Sequence, residues 1–384
     1  MRILYFTRDY TTHDRGFLQK LVASSHEIHF LRLEDDGVLY EQRPLPDGVR
    51  TVEWKGGVAP ARSLADWMAL MPDVERVLAE IRPDLVHAGP IQSCGFLTAL
   101  AGFRPLMLMS WGSDLLVDAD RDAAHQWITR YALRHSDYLL CDCDTVRQRT
   151  QAFHPYASDR IVQFPWGVDL ARFSPADDST AARRRLGLNG ELIILSTRLW
   201  EEIYDIETVL EAVRLARNQR PDLRLILLGD GSRAPWVRKY IAEQGLAESV
   251  MTPGLVPHSE LPDYFRAADL YLSCARSDGS SISLLEAMAT ALPVVVTDTP
   301  ANREWIGPDQ GGALAPTGDA GAFARAILSL SLLDMQGRRA LGARNRQVAI
   351  SRADWDANIA RLLRTYEQIH ARYAGARETG FALT

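Results

Sequence analysis

The residues whose types and spacing best suit chemistry lie in Ser273–Ile306, SCARSDGSSISLLEAMATALPVVVTDTPANREWI. Asp278 falls in a Gly/Ser turn, and Glu286, eight positions on, falls inside a helical pattern. Ser280 or Ser281 is a natural N-cap for that helix, which leaves the N–H groups of about Ser281–Ser283 without intrahelical partners. Together with the helix dipole these N–H groups form an anion site that needs no side-chain charge. Leu284, Leu285 and Met288 read as core-facing, with Glu286 on a different face. A carboxylate on the second turn, beside a phosphate-sized pocket, repels phosphate, so hydroxyl groups such as those of a sugar are its natural partners. Taken in isolation, the same pattern is a capped amphipathic helix with a surface glutamate.

Other groups have two readings each. Asp142 and Asp144 in CDCD resemble a metal-binding carboxylate pair, but a strand at Tyr138–Cys141 runs into a helix there, and Asp144 serves more simply as its N-cap. Gly229-Asp230-Gly231 lacks the spacing of a dinucleotide fingerprint and reads as a tight strand-to-helix turn. Such turns lie at the carboxyl edge of a sheet, where ligands bind, so Gly229 and Gly231 are expected near a nucleotide. His87 and His13 fall at strand ends in the first half, within reach of a cleft or simply hydrogen-bonded. Arg183–Arg185 reads as a solvated helix face. Arg121, Arg130, Arg134, Arg147 and Arg149 suit a phosphorylated ligand or an anionic membrane surface.

The elements that must position these residues alternate strand and helix throughout, the signature of parallel α/β layering. The pattern predicts strands at Arg2–Thr7, Glu27–Leu33, Asp84–Ala88, Leu106–Ser110, Tyr138–Cys141 and Ile161–Phe164, with helices including Ser63–Ile81, Ala119–His135 and Thr145–Phe153. A second series follows: Leu192–Thr197, Leu223–Leu228, Ser249–Thr252, Leu270–Ser273, Val294–Thr297 and Gly312–Leu314. Runs such as LIILS and PVVVTD suit strands buried on both faces. A Gly/Pro/Asp-rich stretch at 167–178 reads as the seam. The expected domains are 1–172, 173–352 and a C-terminal segment 353–384, whose helix carries an apolar stripe of Trp355, Ile359, Leu362 and Tyr366.

The bulk numbers fit two domains: 384 residues, 47% hydrophobic and 24% charged. A net charge of −6 argues against nucleic-acid binding. The only lysines are Lys20, Lys55 and Lys239, so any anion clamp is built mainly from arginine. Cys94, Cys141, Cys143 and Cys274 form no CxxC pair and suit reduced thiols in a cytoplasmic setting. No run approaches the length of a membrane span; peripheral contact with the inner membrane face is left open.

Asp278 to Glu286, followed by Ala287-Met288-Ala289 and Pro293-Val294-Val295, closely resembles the signature of glycosyltransferase family 4. The resemblance extends through ILSTRL, LRLILLGDG and LPDYFRAADLYLS in the second half, and more loosely through PDLVHAG, SWGSD and PWGVDLARFSP in the first. It implies a GT-B fold of two Rossmann-like domains facing each other across a cleft, with the last helix crossing back to the first domain. It also implies a retaining, metal-independent transferase with no resident cofactor, moving a sugar from a nucleotide diphosphate sugar to a sugar, lipid-linked or small-molecule hydroxyl. By match of position, Glu286 would bind ribose hydroxyls. Asp278 would bind the transferred sugar, with Gly279, Ser280, Ser281 and Ile282 giving backbone N–H groups. Arg198 would meet the diphosphate. The residues expected in catalysis are Asp278, Arg198 and His87. Three departures from the family pattern stand out: Asp278 stands where glutamate is usual; the lysine usual some five residues after the arginine is missing, with Ile203 or Tyr204 near that place; and Trp111 stands where a histidine often precedes the glycine, here Gly112. An epimerase of the same fold and a non-catalytic nucleotide-sugar-binding protein are the competing readings.

Overall fold

The computed structural model describes residues 1–34, 41, 43–57, 61, 63–176, 179–307 and 311–379, with side chains to residue 373. It forms two compact units: Met1–Phe164 with Ala357–Thr384, and Pro165–Asp356. Strands β1 (Arg2–Thr7), β2 (Glu27–Arg32), β3 (Arg50–Val52), β4 (Leu85–Gly89), β5 (Leu106–Met109), β6 (Tyr138–Cys141) and β7 (Ile161–Gln163) build the first unit's parallel sheet. Their spatial order is β3-β2-β1-β4-β5-β6-β7. The second unit's parallel sheet contains β8 (Leu192–Ser196), β9 (Leu223–Leu228), β10 (Val250–Gly254), β11 (Leu270–Ser273), β12 (Val294–Thr297) and β13 (Gly312–Ala315), in the order β10-β9-β8-β11-β12-β13. Strands β4, β5, β6, β8, β11 and β12 are buried along their whole length, as their unbroken apolar runs require. Both sheets reverse their direction of growth once, between β1 and β4 and between β8 and β11, and such switch points open a crevice at the carboxyl ends of the strands.

Strand β3 escapes the apolar pattern because it is an exposed edge of three residues, Arg-Thr-Val. The stretch expected as a seam belongs largely to the second unit. Val168 and Phe173 lie in its core, and Gly167 packs so closely on Trp355 that a Cβ would stand 2.4 Å from the Trp355 Cα. Arg346 fastens the same stretch, donating to the carbonyls of Leu170 at 3.0 Å and Phe173 at 2.6 Å. Residues 177–178 of the expected seam and 380–384 of the tail lie outside the described residues. Arg183 is not solvated: it pairs with Asp269 at 2.6 Å and donates to the Ala267 carbonyl at 3.0 Å. Among the described residues no helix is long and apolar enough to cross a membrane.

The last helix, Trp355–Thr379, buries Ile359, Leu362, Tyr366 and Ile369 in the first unit. Trp355 does not share that stripe. It belongs to the second unit, its N–H bonded to the Val168 carbonyl at 3.3 Å. Opposite the stripe lies His87, expected at a strand end but placed mid-way along β4 and fully buried. Its Nδ1 shares a hydrogen bond with the Tyr366 hydroxyl, its Nε2 has no partner, and the rings of Tyr5, Phe17 and Tyr366 surround it. Burial pushes the imidazole down to about 3, so it is neutral at physiological pH. His87 is therefore a core histidine that solvent-borne substrate does not reach.

The pH consequence has a definite sign. A histidine whose folded-state pKa is depressed from 6.5 to about 3 contributes stability above 6.5 and loses it as pH falls through that window. Asp14 and Asp114, raised by burial from 3.8 to about 6, act oppositely: their stability is full below 3.8 and lost as pH rises through 6. The informative quantity is thus a difference. Below pH 6.5 the stability of wild type relative to His87→Phe should fall by about 1.4 kcal/mol per pH unit, measured by denaturant unfolding between pH 7.5 and 5. A pH-independent difference would contradict the buried, neutral assignment.

Candidate functional site

The second unit's switch point brings together the loop after β8 and the loop after β11. Arg198 stands two residues past β8, in a loop anchored on its neighbour β9. The Trp200 N–H donates to the Asp230 carbonyl at 3.0 Å, the Trp200 indole to the Leu228 carbonyl at 3.1 Å, and the Arg233 N–H to the Trp200 carbonyl at 2.9 Å. This close approach explains both glycines. Gly229 has φ +111°, and a Cβ there would stand 2.5 Å from the Arg198 carbonyl oxygen. At Gly231 a Cβ would lie 2.7 Å from the Trp200 carbonyl oxygen. The closest atom at Gly231 is a Glu201 carboxylate oxygen, at 2.5 Å, so both glycines make room for the loop that carries Arg198.

The Arg198 guanidinium is enclosed on several sides. Its Nη2 pairs with Asp278 Oδ2 at 2.8 Å, and its Nη1 donates to Ser281 Oγ at 2.7 Å and Ser283 Oγ at 3.1 Å. Its Cζ sits 4.1 Å from the Tyr204 ring centroid, and the buried Tyr271 hydroxyl donates to Ser283 Oγ at 2.7 Å. Burial pulls the guanidinium down, but Asp278, then Tyr204 and Tyr271, outweigh it and the net shift is upward. Arg198 is charged at any working pH. Its Nε is buried with no hydrogen-bond partner. Asp278 is raised, by burial first, with Arg198 opposing. Tyr204 occupies the region where a lysine was expected, and an aromatic face there holds the arginine in place.

The helix that follows is Ile282–Ala289, with Ser281 as its N-cap residue. Ser281 does not cap it through its side chain, whose hydroxyl is engaged by Arg198. The first N–H groups of the helix therefore have neither a helical acceptor nor a side-chain cap, a ready anion site beside a cation. Gly279 and Ser280 lie buried just before it. Glu286 is not a surface residue; it is buried, with Oε1 3.3 Å from His258 Nε2. The His258 ring packs on Phe173, centroids 5.5 Å apart, and the His258 carbonyl accepts from Arg172 at 2.7 Å.

The structure thus gathers Arg198, Asp278, Gly279, Ser280, Ser281, Ile282 and Glu286 around one helix start, and adds His258, Tyr204, Ser283 and Tyr271. Nothing in the sequence links His258 to Glu286, because one stands in the loop after β10 and the other on the helix after β11. Asp142 and Asp144 have a structural setting of their own. Among the described residues no cluster of three potential ligands occurs, and Asp144 sits in the first helical turn behind the N-cap Cys143, bonded to Arg147 at 2.7 Å. Asp144 is thus not the cap itself. In the first unit, the His13 ring lies 5.7 Å from Trp111.

Gly229→Ala should cost about 1–3 kcal/mol from backbone strain alone, plus the displacement of the Arg198 loop. Gly245→Ala is the control, since φ there is +64° but nothing lies within 4 Å of a Cβ. Denaturant unfolding should show the larger loss at position 229; equal losses would show that the arginine loop yields freely.

Comparison with known proteins accords with this geometry. A family described as "Glycosyl transferases group 1" matches residues 190–332, and one described as "Glycosyl transferase 4-like" matches residues 2–143. A D-inositol 3-phosphate glycosyltransferase of Streptomyces scabiei is 29% identical over 92% of this chain and 86% of its own. Against some curated relatives the match spans about half of their length, 45% and 52% in two cases. Sucrose-phosphate synthase from Thermosynechococcus elongatus superposes with a TM-score of 0.81 at 18% identity, covering 97% of this chain and 100% of that one. Anabaena Alr3699/HepE in complex with UDP-glucose gives 0.76 at 18% identity, covering 97% and 100%. These likenesses show the GT-B fold. With matching family signatures in both units, the chain belongs to the family-4-like, group 1 glycosyltransferases.

Proposed function

We propose that the chain transfers a sugar from a nucleotide diphosphate sugar to a hydroxyl acceptor, with retention at the anomeric carbon and without a metal ion. The observation that carries this reading is Arg198 at the uncapped start of Ile282–Ala289, with Asp278 against it and Glu286 along the same helix. A diphosphate takes the free N–H groups and the guanidinium, including its unpartnered Nε. Glu286, held by His258, accepts from the ribose hydroxyls. Asp278 accepts from hydroxyls of the sugar, with Gly279, Ser280, Ser281 and Ile282 offering backbone N–H groups nearby. In the transfer the bond from the anomeric carbon to the diphosphate oxygen breaks, and the acceptor oxygen bonds to that carbon on the same face. The acceptor proton passes to the departing phosphate oxygen. Arg198 and the helix start stabilise the negative charge that grows on the diphosphate.

The fit of Tyr204 under Arg198 supports a donor site that works with one cation where an arginine–lysine pair was expected. Acceptor binding falls to loops of the first unit after β1, β4 and β5, together with 55–61, of which 58–60 lie outside the described residues. UDP-glucose and a polyol phosphate are suitable first probes, given the ligand and activity in the names of the two relatives.

Asp278 is also the internal counter-ion of Arg198, and this divides two mutants sharply. Glu286→Gln should weaken donor binding, and Asp278→Asn should lower kcat while leaving nucleotide diphosphate affinity unchanged or stronger. Each loss should be about 1.5–3 kcal/mol, the range for hydrogen bonds to charged groups. Calorimetric titration with nucleotide diphosphates and steady-state kinetics test the pair, and wild-type behaviour in both would refute the placement. Turnover should also persist in excess EDTA, and an absolute requirement for Mg²⁺ or Mn²⁺ would remove metal independence from the proposal.

A further inference from the structure

We infer that Arg276 and Asp205 are positioning residues for the transfer: an ion pair between them braces the two loops that carry Arg198 and Asp278, and so fixes the guanidinium on the departing diphosphate. The inference rests on the donor-site reading proposed above. The first half of the loop after β8 is tied to β9 through Trp200 and through Glu201, whose carboxylate accepts from the Ser232 N–H at 2.8 Å. Its second half, the turn Glu202–Tyr204 with Asp205, meets the loop after β11 instead. The Arg276 N–H donates to the Ile203 carbonyl at 2.8 Å, and Arg276 Nη2 stands 3.1 Å from Asp205 Oδ2. Tyr204, whose ring lies against Arg198, falls between the two residues that Arg276 holds. Asp278, the counter-ion of Arg198, follows Arg276 by two residues. One arginine therefore governs both the aromatic and the ionic contact that orient the guanidinium of another.

Asp205 serves this pairing rather than its helix. It stands in the N-cap position of Ile206–Arg217, where an aspartate ordinarily accepts from the first helical N–H groups, yet its side chain makes no cap bond. Its φ of 49° lies in the left-handed region, which aspartate and asparagine tolerate better than most residues with side chains. The residue is 1% exposed, and Arg276 is the cation that meets its carboxylate. A carboxylate withdrawn from water is costly without a partner, so the pair holds although the Arg276 side chain is itself half exposed. Misplacing a catalytic group by about 1 Å costs on the order of 100-fold in rate. Glu286 is held by His258, outside the brace. Loss of the brace should thus act on the charge that grows in the transition state more than on donor binding.

The test uses the full chain with UDP-glucose as donor. Arg276→Met keeps the backbone bond to Ile203 and removes the ion pair. It should lower kcat by ~10- to 100-fold with donor KM within about twofold of wild type, and Arg276→Lys should recover most of the loss. Because Arg276→Met leaves a buried carboxylate unpaired, its melting temperature should fall as well. Arg276→Met/Asp205→Asn removes that charge, so the melting temperature should return toward wild type while kcat stays low. Arg214→Met, which breaks the pair with Glu211 on helix Ile206–Arg217, should keep the wild-type kcat. Hydrogen exchange needs no substrate: amides of 202–205 and 277–280 should exchange faster, together, in the double variant. Unchanged exchange there, turnover that recovers along with the melting temperature, or a rise in KM without loss of kcat would each overturn the inference. Wild-type kinetics in Glu286→Gln and Asp278→Asn, with faster exchange in the double variant, would instead remove the donor-site reading and with it the brace's part in transfer.

Discussion

A guanidinium withdrawn from water has to be matched in charge and in hydrogen bonds, and the switch point of the second unit is arranged around meeting that demand at Arg198. An unpaired buried cation costs several kcal/mol. Asp278, Ser281 and Ser283 supply three polar contacts, and Tyr204 supplies an aromatic face. Each comes from the loop after β8 or from the loop and helix after β11. The pair is possible only because those strands are neighbours in the sheet though far apart in the chain. The same demand explains the backbone around it: the β9 turn is glycine where the arginine loop crosses, and Ser281 gives up its capping role to the guanidinium. The result is a cation with one unpartnered N–H beside a helix start that has no side-chain cap. Asp278 balances the charge of Arg198, so an anion binding there would exchange partners with an existing pair.

Much of this was legible from the amino acids, for identifiable reasons. Central strands such as β8 and β12 announce themselves because burial on both faces demands unbroken apolar runs, whereas β3 has no such demand on it. Asp278 and Glu286 were legible because turn, cap and helix lie in one contiguous stretch. His258 was not, because its meaning comes from Glu286 on another element, and Tyr204 was not, because only the folded course of its own loop lays the ring against Arg198. His87 illustrates a different limit. A strand buried on both sides carries no alternation to show which neighbour each side chain will meet, and only the register of β4 against β1 and β5 places the imidazole in the core.

The apparent seam shows how composition misleads where packing intervenes. Gly, Pro and Asp suggest a loose connection, yet Phe173 is a core residue whose ring also supports His258. Arg346 bonds to the carbonyls of Leu170, Phe173 and Ala289, the last at 2.6 Å. Ala289 ends the helix that carries Glu286. The segment that leads into the second unit is thereby fixed to the element that bears the buried Glu286.

The hydrogen bond between His87 and Tyr366 joins residues 279 positions apart. A ribosome adding about 5–20 residues per second leaves an interval on the order of tens of seconds between the two. Throughout that interval the nascent first sheet presents the face meant for Ile359, Leu362, Tyr366 and Ile369 to whatever surrounds it. The intervening second unit can form from its own continuous stretch of chain, while the unit made first waits for the last helix before its core is closed. Order of synthesis and order of completion are therefore inverted in this protein.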